Sequence, residues 1–126
     1  MEETSAVSSL LKAVERYFAL MYDCDTSNFE KIFRPTAQLH GFREGKMSMW
    51  SAGEYKEILK NRESPKAQGA PREEQILMLD FASPTQALAK VQVRIGKMVF
   101  CDYLTYHLVE NEWLITSKGY HLLGSN

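Results

Sequence analysis

The chain has 126 residues, with 15 Lys or Arg against 16 Asp or Glu, for a formal charge of −1. Hydrophobic residues make up 44% and charged residues 25%, the make-up of one globular core rather than of a disordered or fibrous chain. The basic surplus of a general nucleic-acid binder is missing, and no apolar run approaches the roughly 18 residues that cross a bilayer.

A single domain over residues 1–126 is therefore expected, with neither nucleic acid nor membrane as partner. Met1-Glu2-Glu3-Thr4-Ser5 is acidic and polar, unlike a secretory leader. Cys24 and Cys101 form neither a disulfide framework nor a metal set, so a reduced, cytoplasmic protein is expected.

In chain order, Ala6, Leu10, Ala13, Val14, Tyr17, Phe18 and Met21 recur every three or four residues, which predicts a long amphipathic helix. Asp23-Cys24-Asp25-Thr26 interrupts it. Ser27-Asn28-Phe29-Glu30 has capping-box spacing and predicts a short second helix through Ile32 and Phe33, ended by Arg34-Pro35. Alternation from Thr36 to Trp50 predicts a hairpin turning at Arg43-Glu44-Gly45-Lys46. Ser51-Ala52-Gly53-Glu54 is a second capping box, opening a helix with Tyr55, Ile58 and Leu59 on its apolar face. Asn61 to Arg72, with Pro65, Gly69 and Pro71, reads as a loop.

Four strand-like runs follow, Glu73–Ala82, Gln86–Ile95, Lys97–Glu110 and Glu112–Leu123, joined by short turns as in an antiparallel meander. Helices first and strands afterwards make an α+β domain, a curved sheet against helices. If the strands carry no bulge, one face collects Met78, Asp80, Ala87, Ala89, Val91, Val93, Phe100, Asp102, Leu104, Tyr106, Leu108, Trp113, Ile115, Gly119 and His121. This more apolar face should meet the helices. The other collects Lys90, Gln92, Arg94, Val99, Cys101, Tyr103, Thr105, His107, Thr116, Lys118 and Tyr120, and should face solvent or a second subunit.

Asp102 is an acid in an apolar row, with very small residues, Ala89 and Gly119, on the neighbouring strands. Such an acid would border open space, and His121 on the same expected face would make a carboxylate–imidazole pair suited to acid/base work. The plainer reading is an Asp that hydrogen-bonds a nearby Tyr, His or amide. His40, Phe42, Trp50 and Tyr55 are candidate stacking or packing residues. Arg62 and Arg72 flank the proline-containing loop as candidate clamps for an anionic group, or as surface arginines. Cys101 has no basic sequence neighbour to mark it as a reactive thiolate. Among His40, His107 and His121 no metal-ligand spacing occurs, and neither a phosphate loop nor a nucleophile elbow is present, so no metal and no cofactor are expected.

A family resemblance rests on motifs spread over nearly the whole chain. They are Tyr17-Phe18 and Met21-Tyr22, Phe33 with Pro35 and Ala37, and Leu39-His40-Gly41-Phe42-Arg43 with Gly45. Arg62, Ser64-Pro65, Gly69 and Pro71-Arg72 continue the series, followed by Phe100-Cys101-Asp102-Tyr103-Leu104 and Trp113-Leu114-Ile115 with Lys118. The chain resembles the nuclear-transport-factor-2-like superfamily, which includes SnoaL-like enzymes and ketosteroid isomerases, and within it the group named Putative lumazine-binding proteins. The resemblance implies a cone-shaped α+β barrel, three helices over a curved sheet with a pocket between, and homodimers. Arg34 stands where relatives often carry His before Pro35, so no role of that His transfers.

The resulting expectation is a small-molecule-binding protein whose ligand is a small, partly apolar organic molecule such as a flat heterocycle. Tyr17, His40, Phe42, Trp50, Tyr55, Phe100 and Tyr106 are its expected ligand-binding residues, and the outer sheet face its homodimer contact. One alternative is an isomerase, cyclase or dehydratase in which Asp102 moves a proton and His121 or a tyrosine steadies the oxyanion. Another is a non-enzymatic interaction module.

Overall fold

Apolar residues at helical spacing place Leu10, Ala13, Val14, Tyr17, Phe18 and Met21 on the buried stripe of α1 (Glu2–Asp23). In this computed structural model residues 2–125 are described, with side chains from Ala6 onward, so the side chains of Met1–Ser5, the stretch expected not to be a secretory leader, lie outside the described residues. The helix ends where Cys24, at φ +54°, donates its amide to the Leu20 carbonyl. A ladder of Asx turns follows, with Asp23 accepting from the Asp25 amide and Asp25 from that of Ser27.

The second helix departs from expectation. It is a 3-10 turn over Thr26–Lys31 capped by Asp25, and Ser27 and Glu30 form no capping box. Asp25 wins because its carboxylate already reaches the Ser27 amide, whereas Glu30 is drawn away to Lys56 at 2.8 Å. Phe33 belongs to the next strand, β1 (Phe33–Arg43), and Pro35 lies within it. Pairing of β1 is irregular between Phe33 and Gln38, which accommodates a residue lacking an N–H.

β1 turns through Glu44 and Gly45, both at positive φ, into β2 (Lys46–Ser51), the hairpin expected. Ser51 then caps α2 (Ala52–Asn61) with both arms of the box. Glu54 N–H donates to Ser51 Oγ at 3.1 Å, and Ser51 N–H to Glu54 Oε1 at 2.8 Å. The following loop is tied to the end of α1, since Tyr22 donates its hydroxyl to the Ala70 carbonyl and Lys66 its amide to the Tyr22 carbonyl.

The meander is present as β3 (Glu74–Ser83), β4 (Gln86–Ile95), β5 (Met98–Val109) and β6 (Glu112–Ser125). One six-stranded curved sheet results, in the order β2-β1-β6-β5-β4-β3. It is an α+β arrangement with an unclosed sheet, because β2 and β3 remain edges. β1 runs parallel to β6, with Leu39 opposite Lys118 and His40 opposite Gly119, so the inner side of the first hairpin extends the wall built by the meander. The main core lies between this sheet and the helices.

Bulges revise the expected faces. In β6, Ile115 pairs with Tyr106 but Ser117 pairs with Thr105, so Thr116 is an extra residue. Each side chain from Ser117 to Leu122 changes face, until a second shift at Leu123. Lys118 and Tyr120 therefore point inward and are buried, whereas Gly119 and His121 lie on the outer side, His121 exposed beside Cys101. A similar shift in β3 between Ile76 and Met78 leaves Met78 and Asp80 exposed and turns Leu79 and Phe81 toward the core. β4 and β5 keep the expected alternation throughout.

Candidate functional site

Asp102 sits midway along β5 on the helix-facing side, its residue only 1% exposed. α1 lies across this part of the sheet, and Tyr17 donates its hydroxyl to Asp102 Oδ2 at 2.5 Å. Lys118 Nζ stands 3.9 Å from the same oxygen. The other oxygen, Oδ1, is buried without a hydrogen-bond partner among the described residues. Burial, and then the neighbouring Asp102, push the Tyr17 phenol well above its ordinary range, so it stays a donor.

Lys118 occupies a cage of aromatic rings. Its Nζ lies 4.8 Å from the ring centre of Tyr55, 5.1 Å from that of Tyr17 and 6.0 Å from that of Tyr120. It also donates to the Tyr55 hydroxyl at 3.3 Å, which in turn donates to Met21 Sδ at 3.3 Å. Cation–π attraction and the adjacent carboxylate together compensate the ammonium's loss of water.

Beside this cluster is a cavity of about 70 Å³, lined by Asp102, Lys118, Tyr55, Tyr120, Phe100 and Leu39, and further by Trp50, Arg43, Ile58, Arg62, Ile95 and Met98. Its volume is several times what one water needs and well below that of a drug-sized site. Trp50 is stacked at 6.0 Å on Tyr55 and at 5.9 Å on Tyr120, so three rings form one near-parallel wall. Gly41 makes this wall possible, because a Cβ there would collide with the ring and the carbonyl of Tyr120.

The expected site residues divide clearly by position. Asp102, Trp50, Tyr55 and Phe100 line the cavity, and Arg62 joins them. Tyr17 is wholly buried and holds Asp102 from behind. Tyr106 is buried deeper along β5, its hydroxyl without a partner and its phenol raised by burial. His121 does not approach Asp102, and His40 and Phe42 alternate away from Leu39 and Gly41 onto the outer side, where Phe42 is 61% exposed. Arg72 lies away from the cavity, paired with Glu15 at 2.6 Å and Glu74 at 2.7 Å. Burial raises the Cys101 thiol, the opposite of activation.

Sequence reasoning missed Lys118, Tyr120 and Arg43 as lining residues. Lys118 was visible only as part of the family pattern, since its face depends on a bulge at Thr116 that carries no glycine or proline signal. Arg43 follows Leu39 and Gly41 at alternate positions, a signal hidden while the orientation of β1 against β6 was unknown.

The fold is shared with solved proteins of unknown function. A protein from Silicibacter pomeroyi DSS-3 described as NTF-2 like is 24% identical, with a TM-score of 0.86 over 97% of this chain and 99% of that one. An NTF2-like protein from Shewanella baltica OS155 is 20% identical, with a TM-score of 0.82 and 97% of each chain covered. Another from Methylobacillus flagellatus KT is 16% identical at a TM-score of 0.71, over 94% of this chain and 92% of that one. No curated protein matches. Among the described residues no helix is long and apolar enough to cross a membrane. These likenesses show an NTF2-like fold, and the model of the family described as Putative lumazine-binding matches residues 5–121, so the chain belongs to that family.

Proposed function

We propose that this protein binds a small, flat, partly apolar molecule in the cavity between α2 and the sheet. One observation carries the reading: a buried carboxylate oxygen, Asp102 Oδ1, has no partner among the described residues and borders open space walled by aromatic rings. A buried acceptor left unmatched costs about 1–3 kcal/mol, which a ligand N–H or O–H would recover. The rings of Trp50, Tyr55, Tyr120 and Phe100 supply area for a planar body. A bicyclic heterocycle needs more than the present volume, and the flexible Met98 with Ile58 and Ile95 can yield to admit it. The family's description points to the same ligand class.

Titration with lumazine and related bicyclic heterocycles, followed by thermal shift and tryptophan fluorescence, tests this. Stabilisation with quenching that disappears in Trp50→Phe supports the reading; no shift across the set overturns it. The free oxygen of Asp102 also favours a second reading, proton transfer next to a ligand carbonyl, with Tyr17 and Lys118 holding the carboxylate. Asp102→Asn would then abolish turnover while keeping most affinity, and unchanged turnover rules it out. A homodimer through the outer sheet face is part of the proposal, supported by exposed Phe42, Met47, Met49 and Tyr103 on that side. Light scattering that finds a monomer at micromolar concentration removes that part alone.

A further inference from the structure

Charge around the cavity is unbalanced. Arg43, Arg62 and Lys118 line it against a single carboxylate, Asp102, a surplus of two positive charges. Asp102 is already engaged by Tyr17 and Lys118, so it does not serve the arginines. Arg62 follows the last turn of α2; its Nε and Nη2 are buried without a hydrogen-bond partner among the described residues, and its polar neighbours are the Tyr55 hydroxyl and the Cys24 thiol rather than a carboxylate. Of the other arginines, Arg72 pairs with Glu15 and Glu74 and Arg94 with Glu73 at 2.6 Å, while Arg16 and Arg34 are exposed to solvent. Among the described residues neither Arg43 nor Arg62 has such a partner. An unmatched, partly desolvated guanidinium is costly in isolation, and its fork of donors fits a carboxylate bidentately.

We infer that the cavity's ligand is an organic anion, a planar molecule bearing a carboxylate that Arg62 grips and Arg43 attracts, while a donor on its inner edge meets Asp102. This rests on the binding reading above and adds the ligand's charge and polarity. Asp102 and Lys118 are buried residues and Arg43 and Arg62 half-buried ones, so the arginine end of the cavity is the more open, with Arg62 Nε and Nη2 themselves shielded from solvent. The ligand's charged end therefore faces outward and its ring end enters first.

Calorimetry with matched pairs tests the inference: 2-naphthoate against 2-naphthamide, and pterin-6-carboxylate against pterin. In the natural protein each acid should bind about tenfold more tightly than its neutral counterpart, the increment of one charge-assisted fork. Arg62→Gln should bring the two to within about twofold by weakening the acid alone, with unchanged affinity for the neutral compound showing that the cavity is intact; if Arg62→Gln fails to fold, Arg62→Lys should retain an intermediate preference. Neutral compounds that bind as well as acids, or a preference that persists in Arg62→Gln, overturn the anion inference and leave the binding reading standing. If no member of either pair binds, the binding reading itself fails and this inference with it.

Discussion

β5 and β6 are paired along nearly their whole length, yet they treat the two-residue repeat differently. β5 alternates without interruption, so Phe100, Asp102, Leu104 and Tyr106 all face the helices. β6 changes phase at Thr116: Trp113 and Ile115 face inward before it, Lys118 and Tyr120 after it. Thr116 is held at this point by His107 Nδ1, 2.7 Å from its hydroxyl. One extra residue thus exchanges a glycine and a histidine for a lysine and a tyrosine beside Asp102. The chemical character of this cavity is therefore set by strand phase as much as by composition.

Removing the cation that the bulge delivers should have the largest effect. Lys118→Met leaves Asp102 buried opposite no charge and should cost about 3–5 kcal/mol in chemical denaturation. Asp102→Leu combined with Lys118→Met should regain most of that loss, because both desolvated charges disappear together. A double variant as unstable as the single one would show that the pair does not act as a unit.

Gly41→Ala tests the partner wall. Its methyl group meets the Tyr120 ring and backbone, so a loss of about 1–3 kcal/mol is expected, measured as a lowered denaturation midpoint. Tyr17→Phe removes the hydroxyl that donates to Asp102 and should cost about 1.5–3 kcal/mol, as for other hydrogen bonds to charged groups. Tyr106→Phe deletes a hydroxyl that has no partner, and should change stability by less than about 0.5 kcal/mol or raise it. Equal losses from the two substitutions would contradict the distinction between a bonded and an orphaned phenol.

Alkaline pH acts on the same two phenols. The Tyr17 and Tyr106 phenols are raised in the folded protein, chiefly by burial. Their contribution to stability is complete below the unfolded value of about 10 and is lost as pH climbs through the folded values. Spectrophotometric titration should show these two phenols ionising only above pH 10, together with unfolding. Replacing both by Phe should flatten the alkaline fall in stability. The smallest effect belongs to His121→Ala, which should leave stability within about 0.5 kcal/mol and ligand affinity unaltered, because the side chain is exposed on the far side of the sheet.

Local chemistry was readable in the sequence wherever neighbours in the chain decide the outcome. The stripe of α1, the Ser51–Glu54 capping box, the Glu44-Gly45 turn, the antiparallel meander and the inward position of Asp102 all follow from spacing and turn residues within a few positions. The family motifs extended this to the α+β fold and to a pocket beneath the helices. Tertiary structure alone decided three things: Asp25 rather than Ser27 caps the 3-10 turn, β1 joins β6 in parallel, and bulges turn Lys118 inward and His121 outward. Each depends on partners distant in sequence, and a one-residue slip in a strand exchanges its two faces without altering its composition.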